Sequence, residues 1–110
     1  MDKQEIMRCY CIEDKLLNKY LDSGLIEDKF NYTDDDIKKI SMAMSLEKTG
    51  LTLSSICQYL SLNEDKKKNT NQLLSILSNQ RKIILDKIHM EEDKISTLDY
   101  YIYELRKQQQ

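Results

Sequence analysis

Residues 70–107 read TNQLLSILSNQRKIILDKIHMEEDKISTLDYYIYELRK and carry the most regular hydrophobic pattern in the chain. Steps of alternately three and four residues from Leu74 to Leu105 give ten positions, of which eight are large and apolar. This is the a/d heptad pattern of a helix that packs along a partner helix. The apolar positions, which we predict to form a dimer interface, are Leu74, Leu77, Ile84, Ile88, Ile95, Leu98, Ile102 and Leu105.

The alternative is that this stripe is the buried face of a long core helix in a monomeric bundle. We favour a dimerising helix, because the rest of so small a protein is too short to cover the stripe. Arg81 and Glu91 interrupt the seam at an a and a d position. Polar seam residues commonly fix register and partner choice. In an antiparallel pair that crosses near Ile88, Arg81 of one chain would approach the Glu91–Lys94 region of the other.

The composition favours helices and a single small domain. The chain has 110 residues, no Pro, two Gly and 33% charged residues. We therefore expect an all-α fold, or nearly so. The formal net charge is −2, and residues 1–60 carry 8 Lys and Arg against 11 Asp and Glu. A DNA-binding domain usually shows a basic face, which this chain would have to form locally.

Metal binding, catalysis and membrane insertion find little support in the sequence. Cys9 and Cys11 form a Cys-x-Cys pair, which alone is a weak metal signal, and Cys57 lies far away. We expect buried, reduced thiols, no metal site and no cofactor. No nucleophile–base arrangement or phosphate-binding loop is present, so we expect no enzyme. The N-terminus lacks a secretory signal and no apolar run could cross a bilayer, which predicts a cytoplasmic protein with no membrane contact.

The first part of the chain predicts two short helices with a tight break between them. Residues 4–11 and 14–21 space their apolar side chains as helix faces, with a break at Ile12 and Glu13. Gly24 suits the left-handed residue that ends many helices. Two short helices so arranged are the outline of a helix-turn-helix.

Two further helices and a linker precede the long helix. Thr33 is a predicted N-cap for a third helix that runs to Lys48, and helix capping explains Asp34, Asp35 and Asp36 better than a catalytic or metal role. Thr52 is a predicted N-cap for a fourth helix within residues 51–62. We expect residues 63–69 to be a polar linker, with the long helix spanning 70–107 and the glutamines at 108–110 fraying. The three lysines at 66–68 suit a solvated loop, or else a contact with a DNA phosphate or an acidic partner.

Three strings then resemble one protein family. LNKYLDSGLI (residues 17–26) resembles the LRYYxxxGLI element of MerR-type transcription regulators. YTDDDIKKI (32–40) is similar to the family's YSxxDLxxL helix start, and LEKTGLTLSSICQYLSL (46–62) to its LRxLGFSLxEIxxLL segment. Order and spacing match, and a long helix follows as in that family. The resemblance covers almost the whole chain.

The resemblance implies a function and a set of contact residues. It implies a homodimer that binds palindromic double-stranded DNA, with a winged-helix-like helix-turn-helix head at residues 1–62 and an antiparallel coiled coil of the long helices. The helix at 14–21 would enter the major groove, and a wing would touch the DNA backbone. The implied DNA-binding residues are Lys15, Asn18, Lys19 and Tyr20 on the helix, with Lys29 and Asn31 in the wing.

Departures from the family pattern support a second hypothesis. Asn18 stands where the family has an arginine, and the wing is shortened to residues 27–32. Glu13 and Asp14 add negative charge at the start of the second helix. No separate effector domain and no cysteine pattern of the metal-sensing relatives is present. The chain is therefore predicted to be a DNA-binding transcription regulator, or alternatively a MerR-like dimer that has lost DNA reading and binds a protein partner.

Overall fold

Five α-helices make up the regular structure of residues 1–109, the residues that the computed structural model describes. No strand occurs among these residues, so the all-helical class and the long C-terminal helix are confirmed. Residues 27–32, the predicted wing, form an irregular connection without strands. Gln110, the end of the predicted frayed tail, lies outside the described residues. The helices are α1 (Lys3–Cys9), α2 (Asp14–Asp22), α3 (Asp34–Glu47), α4 (Leu53–Asn63) and α5 (Lys66–Gln108).

Local capping chemistry sets the start of three of these helices. Asp2, Thr33 and Thr52 each accept a hydrogen bond from the backbone N–H three residues later. At α3 the cap is reciprocal, since the Asp36 carboxylate accepts from the Thr33 N–H at 2.9 Å. Such caps satisfy N–H groups that have no partner within a helix. The predicted N-caps at Thr33 and Thr52 are therefore confirmed.

The break between α1 and α2 is a tight turn. Cys11 has φ +53°, and the Ile12 N–H donates to the Met7 carbonyl at 3.1 Å. This left-handed residue redirects the chain so that Ile12 is buried while the Cys11 side chain faces solvent. Cys9 is also exposed, so the prediction that the thiols are buried is wrong for both residues of the pair. Cys57 is half-buried.

Helices α1 to α4 and the start of α5 share one apolar core. Tyr20, Ile6, Leu17 and Ile56 are its largest fully buried side chains. The core lies within a unit that spans Met1–Ile76. Its remaining buried apolar members are Ile12, Leu25, Ile26, Tyr32, Ile40, Ala43, Leu51, Leu60 and Leu73.

The polar linker predicted at residues 63–69 is wrong, because only Glu64 and Asp65 separate α4 from α5. The Asn69 N–H donates to the Asp65 carbonyl at 3.2 Å, and the Asn69 side-chain amide donates to the Leu62 carbonyl at 3.0 Å. These bonds close the first turn of α5 and tie it to the end of α4. Lysine is also a good helix former, so nothing in residues 66–68 prevents helix.

The boundary of the first unit likewise lies later than the predicted head, which was to end at residue 62. Leu73 is 4% exposed and Ile76 packs against the core. The first three turns of α5 are therefore part of the folded head.

The second unit begins at Leu77 and is a single helix. None of its described side chains is buried. Its seven predicted interface residues, and Leu74 in the first unit, are all exposed, with relative exposures from 37% at Leu77 to 65% at Leu105.

Candidate nucleic-acid interface

Helix α2 turns one face to the core and one to solvent. Leu17 and Tyr20 are fully buried and fix how α2 lies on the head. Its opposite face lines an open groove with a volume of about 570 Å³. We call this groove the α2 face. Its lining residues are Lys15, Asn18, Lys19, Asp22, Ser23 and Leu53.

Lys15 and Lys19 supply the positive charge of the α2 face. Lys15 is exposed and makes no ion pair with any described residue. Lys19 Nζ lies 3.3 Å from Glu47 Oε1, and the two side chains are 49% and 36% exposed. An ion pair this exposed is worth less than about 1 kcal/mol, so a phosphate could compete for Lys19.

Asn18 lies in a small polar network at the start of α2. Its Oδ1 accepts from Lys3 Nζ at 2.6 Å, and its Nδ2 donates to Asp14 Oδ2 at 3.2 Å. Lys3 also pairs with Asp14 at 3.5 Å. The sequence reading did not include Lys3, because its contact with Asn18 spans 15 residues. This network engages one donor and one acceptor of the Asn18 amide.

Tyr20 cannot contact DNA in this structure, and its assignment as a DNA-binding residue is wrong. The residue is 0% exposed, and its hydroxyl donates to Glu47 Oε2 at 2.9 Å. Burial, the hydrogen bond to Glu47 and the Glu47 charge all raise the pKa of the Tyr20 hydroxyl above its usual value. Tyr20 therefore fastens α2 to the end of α3.

The two predicted wing residues are engaged within the head. Lys29 Nζ lies 3.1 Å from both carboxylate oxygens of Asp36, whose side chain is 8% exposed. Asn31 Oδ1 accepts from the Met1 ammonium at 2.7 Å. The Lys29 ammonium is therefore held by Asp36, and a phosphate would have to displace that ion pair. The bond to Asn31 uses its amide oxygen and not its N–H donors.

The Asp36 carboxyl titrates in a way that follows from this arrangement. Burial alone would raise its pKa, but hydrogen bonds from the Thr33 N–H, Lys29 and the Thr33 hydroxyl, with the Lys29 charge, lower the pKa below its usual value. A depressed folded-state pKa contributes stability above the unfolded-state pKa of about 3.9. That contribution is lost as the pH falls through the folded-state pKa.

We expect Asp36→Asn to lower the free energy of unfolding at pH 7 by about 2–3 kcal/mol, because it removes a charge that three donors stabilise, namely the Thr33 N–H, the Thr33 hydroxyl and the Lys29 ammonium. The difference from the wild type should begin to shrink as the pH falls below the unfolded-state pKa of about 3.9, and should be lost as the pH falls through the lower folded-state pKa of Asp36. Urea unfolding followed by circular dichroism at several pH values measures this. Asp35→Asn is the matched control, since Asp35 is exposed on the same helical turn and should change stability by less than about 1 kcal/mol. Equal losses in both variants would contradict the role given to Asp36.

The structure adds one neighbour of the α2 face that the sequence did not indicate. Glu47 reaches both Lys19 and Tyr20 across 28 and 27 residues. Only the fold brings the end of α3 beside α2, so no local sequence signal could have identified Glu47.

The charge around the α2 face is mixed. Lys3, Lys15 and Lys19 stand against Asp14, Asp22 and Glu47. The face is therefore a set of separate lysines among carboxylates and has no continuous basic stripe. Any DNA contact there would depend on a few lysines.

No group of three His, Cys, Asp or Glu residues within 1–109 is placed to hold a metal ion. None of the helices in this range combines the length and apolarity needed to cross a bilayer. Comparison of the chain with protein-family models, curated proteins and solved structures found no match.

Proposed function

We propose that this chain is a dimeric helix-turn-helix DNA-binding transcription regulator of the kind its MerR-like strings indicate. The observation that carries the proposal is the α2 face. It is a solvent-facing groove on α2, with Lys15 unpaired and Lys19 held only by an exposed ion pair.

Lysine contacts to phosphates supply most non-specific DNA affinity and make it fall with salt. A recognition helix of this class lies in the major groove, and a two-fold dimer presents two such helices to a palindrome. With few free lysines on the α2 face, one head alone would bind weakly. Two heads on one duplex would gain affinity from their high effective concentration, so DNA binding and dimerisation are coupled in this proposal.

The apolar stripe on α5 supports the dimer half of the proposal. A monomer rarely leaves a contiguous apolar stripe of this length in water. The stripe also follows the heptad spacing that a second helix would cover. The two exposed charges within it, Arg81 and Glu91, are compatible with pairing between copies, as argued below.

Lys15→Ala and Lys19→Ala are expected to weaken binding to duplex DNA about threefold to tenfold each. Each change should also lower the slope of log K against log salt by about 1, because one phosphate contact is lost. Lys19→Ala should have the larger effect, since it leaves the Glu47 carboxylate uncompensated beside the DNA. Fluorescence anisotropy with a labelled duplex at four salt concentrations measures both quantities.

Lys82→Ala is the matched control for this experiment. Lys82 is an exposed lysine on α5 without an ion pair among the described residues. Its removal should leave the salt slope close to that of the wild type. If Lys82→Ala changes DNA binding as much as Lys15→Ala does, the α2 face is not the contact surface.

A second candidate function is favoured by the mixed charge of the same groove. Lys15 and Lys19 alternate with Asp14, Asp22 and Glu47, and an apolar Leu53 lies at the groove edge. Such a surface suits a protein partner with charges of both signs better than a phosphate backbone. In that case the dimer would be an interaction module. The salt titration separates the candidates, because a protein-binding dimer would bind random duplex DNA only weakly even at low salt.

A further inference from the structure

We infer that two copies of α5 pair antiparallel in one register, in which Arg81 of each copy faces Glu91 of the other. This inference rests on the dimer proposed above and specifies how its two helices are aligned. The occupant of the exposed stripe is thus a second copy of the same chain.

The register follows from the spacing of the seam. In an antiparallel coiled coil, each a position faces a d position, and facing residues lie equally far from a central point. A centre at residue 86 is midway between Arg81 and Glu91. The same centre places Leu77 against the partner's Ile95 and Ile84 against the partner's Ile88. It also places Leu74 against the partner's Leu98. Beyond these layers Ile102 would face the partner's Thr70 and Leu105 the partner's Lys67, so the apolar part of the pair spans residues 74–98.

The charges at the two polar positions are available for such a pair. Arg81 makes no ion pair with any described residue, although it lies within an apolar stripe. Glu91 pairs only with Lys94, at 2.8 Å, and its side chain is 67% exposed. A charge that becomes buried in the interface without an opposite charge beside it lowers the stability of the dimer. An Arg–carboxylate pair avoids this loss, because it can form two parallel hydrogen bonds.

Other alignments leave charges uncompensated. A shift of one heptad would place Arg81 against the partner's Ile84 or the partner's Leu98. A parallel pair in register would place Arg81 against Arg81 and Glu91 against Glu91. Each of these alignments covers charges without an opposite partner. The antiparallel register with its centre at residue 86 is therefore the one that the seam charges favour.

The positions that flank the centre are consistent with this register. Leu85 lies beside the seam, is only half-exposed, and would meet its own copy across the two-fold axis. On the other side of the seam Lys87 would also meet its own copy. That like-charge contact has a cost, which is small because the side chain is exposed and long enough to diverge.

Charge exchange tests the register. Arg81→Glu and Glu91→Arg are each expected to raise the dimer dissociation constant at least tenfold, since each places like charges in two facing layers. The double variant R81E/E91R recreates both opposite pairs and should return to within about threefold of the wild type. Lys82→Glu, an outward charge reversal, should change the constant little. Sedimentation equilibrium measures all five proteins.

The possible failures have different meanings. A double variant as weak as the single ones would overturn the register. Single variants that dimerise as tightly as the wild type would also overturn the register. That result would fit a parallel pair, in which each single variant replaces one like-charge contact by another. A wild-type chain that stays monomeric would instead contradict the proposed function.

Spin labels give an independent distance. The three native cysteines are first replaced. From the 1.5 Å rise per residue and the centre at residue 86, labels at Ser96 of the two copies should then be separated by about 30 Å along the helix axis, and labels at Lys87 by only about 3 Å along the same axis. A parallel dimer would give short distances at both positions. A slip of one heptad would change the distance at Ser96 by about 10 Å. Either outcome overturns the register while leaving the dimer intact.

Discussion

Ile84→Asp is expected to raise the dimer dissociation constant at least a hundredfold. Ile84 is 38% exposed on the isolated helix and lies on the a/d seam beside the proposed centre of the pair. Each dimer would lose two buried isoleucines and would cover two carboxylates without partners. A loss of about 1.5–3 kcal/mol for each apolar side chain is enough for a change of this size. Sedimentation equilibrium and DNA binding should both report it, because the DNA proposal needs two linked heads.

The neighbouring residue provides the control. Ile83 is 48% exposed and differs from Ile84 only in pointing away from the a/d seam. Ile83→Asp carries the same loss of apolar surface and the same added charge, but the dimer should persist. Equal dissociation by both variants would show that general damage to α5, and not the seam, is responsible.

Tyr20→Ala is expected to lower the free energy of unfolding of the head by about 3–5 kcal/mol, as for other large-to-small changes of buried aromatic residues. Tyr20→Phe removes only the hydrogen bond to Glu47 and should cost about 1–2 kcal/mol. Denaturant unfolding followed by circular dichroism measures both. Tyr10→Ala is the control, since Tyr10 is 40% exposed and should change stability by less than about 1 kcal/mol.

Tyr20→Phe also separates a structural tyrosine from a DNA-binding one. The folded variant should bind DNA with an unchanged salt slope, because the hydroxyl faces Glu47 and not solvent. A large loss of DNA affinity in a variant that remains well folded would place Tyr20 at the DNA and would contradict its burial in this structure.

Local chemistry made part of this fold predictable. Thr33 and Thr52 were identified as N-caps from their position before helical runs, because a cap bonds only three residues along the chain. The bounds of α2 likewise agree with its predicted span to one residue. The start of α5 was missed because three lysines at a helix N-terminus oppose the helix dipole. Bonds from Asn69 to Asp65 and Leu62 outweigh that effect.

The part of the site that the sequence could not predict is the set of hydrogen-bond and ion-pair partners that lie far apart in the chain. Tyr20 matched a family tyrosine in its string, yet its partner Glu47 is 27 residues away. Lys29 carries the positive charge that a phosphate contact needs, but its ammonium forms an ion pair with the buried Asp36 carboxylate. Sequence pattern therefore located the outward face of α2 correctly through Lys15 and Lys19. It could not say which polar side chains were already engaged by partners distant in sequence.

The most direct test of the central proposal is the salt dependence of binding between the wild-type chain and random-sequence duplex DNA, with the dimer established by sedimentation on the same sample. The account predicts a dimer that binds with low-salt affinity in the micromolar range, and a slope that corresponds to several phosphate contacts. A stable dimer that does not bind duplex DNA even at about 50 mM salt would contradict the regulator. It would leave the α2 face as a surface for a protein partner.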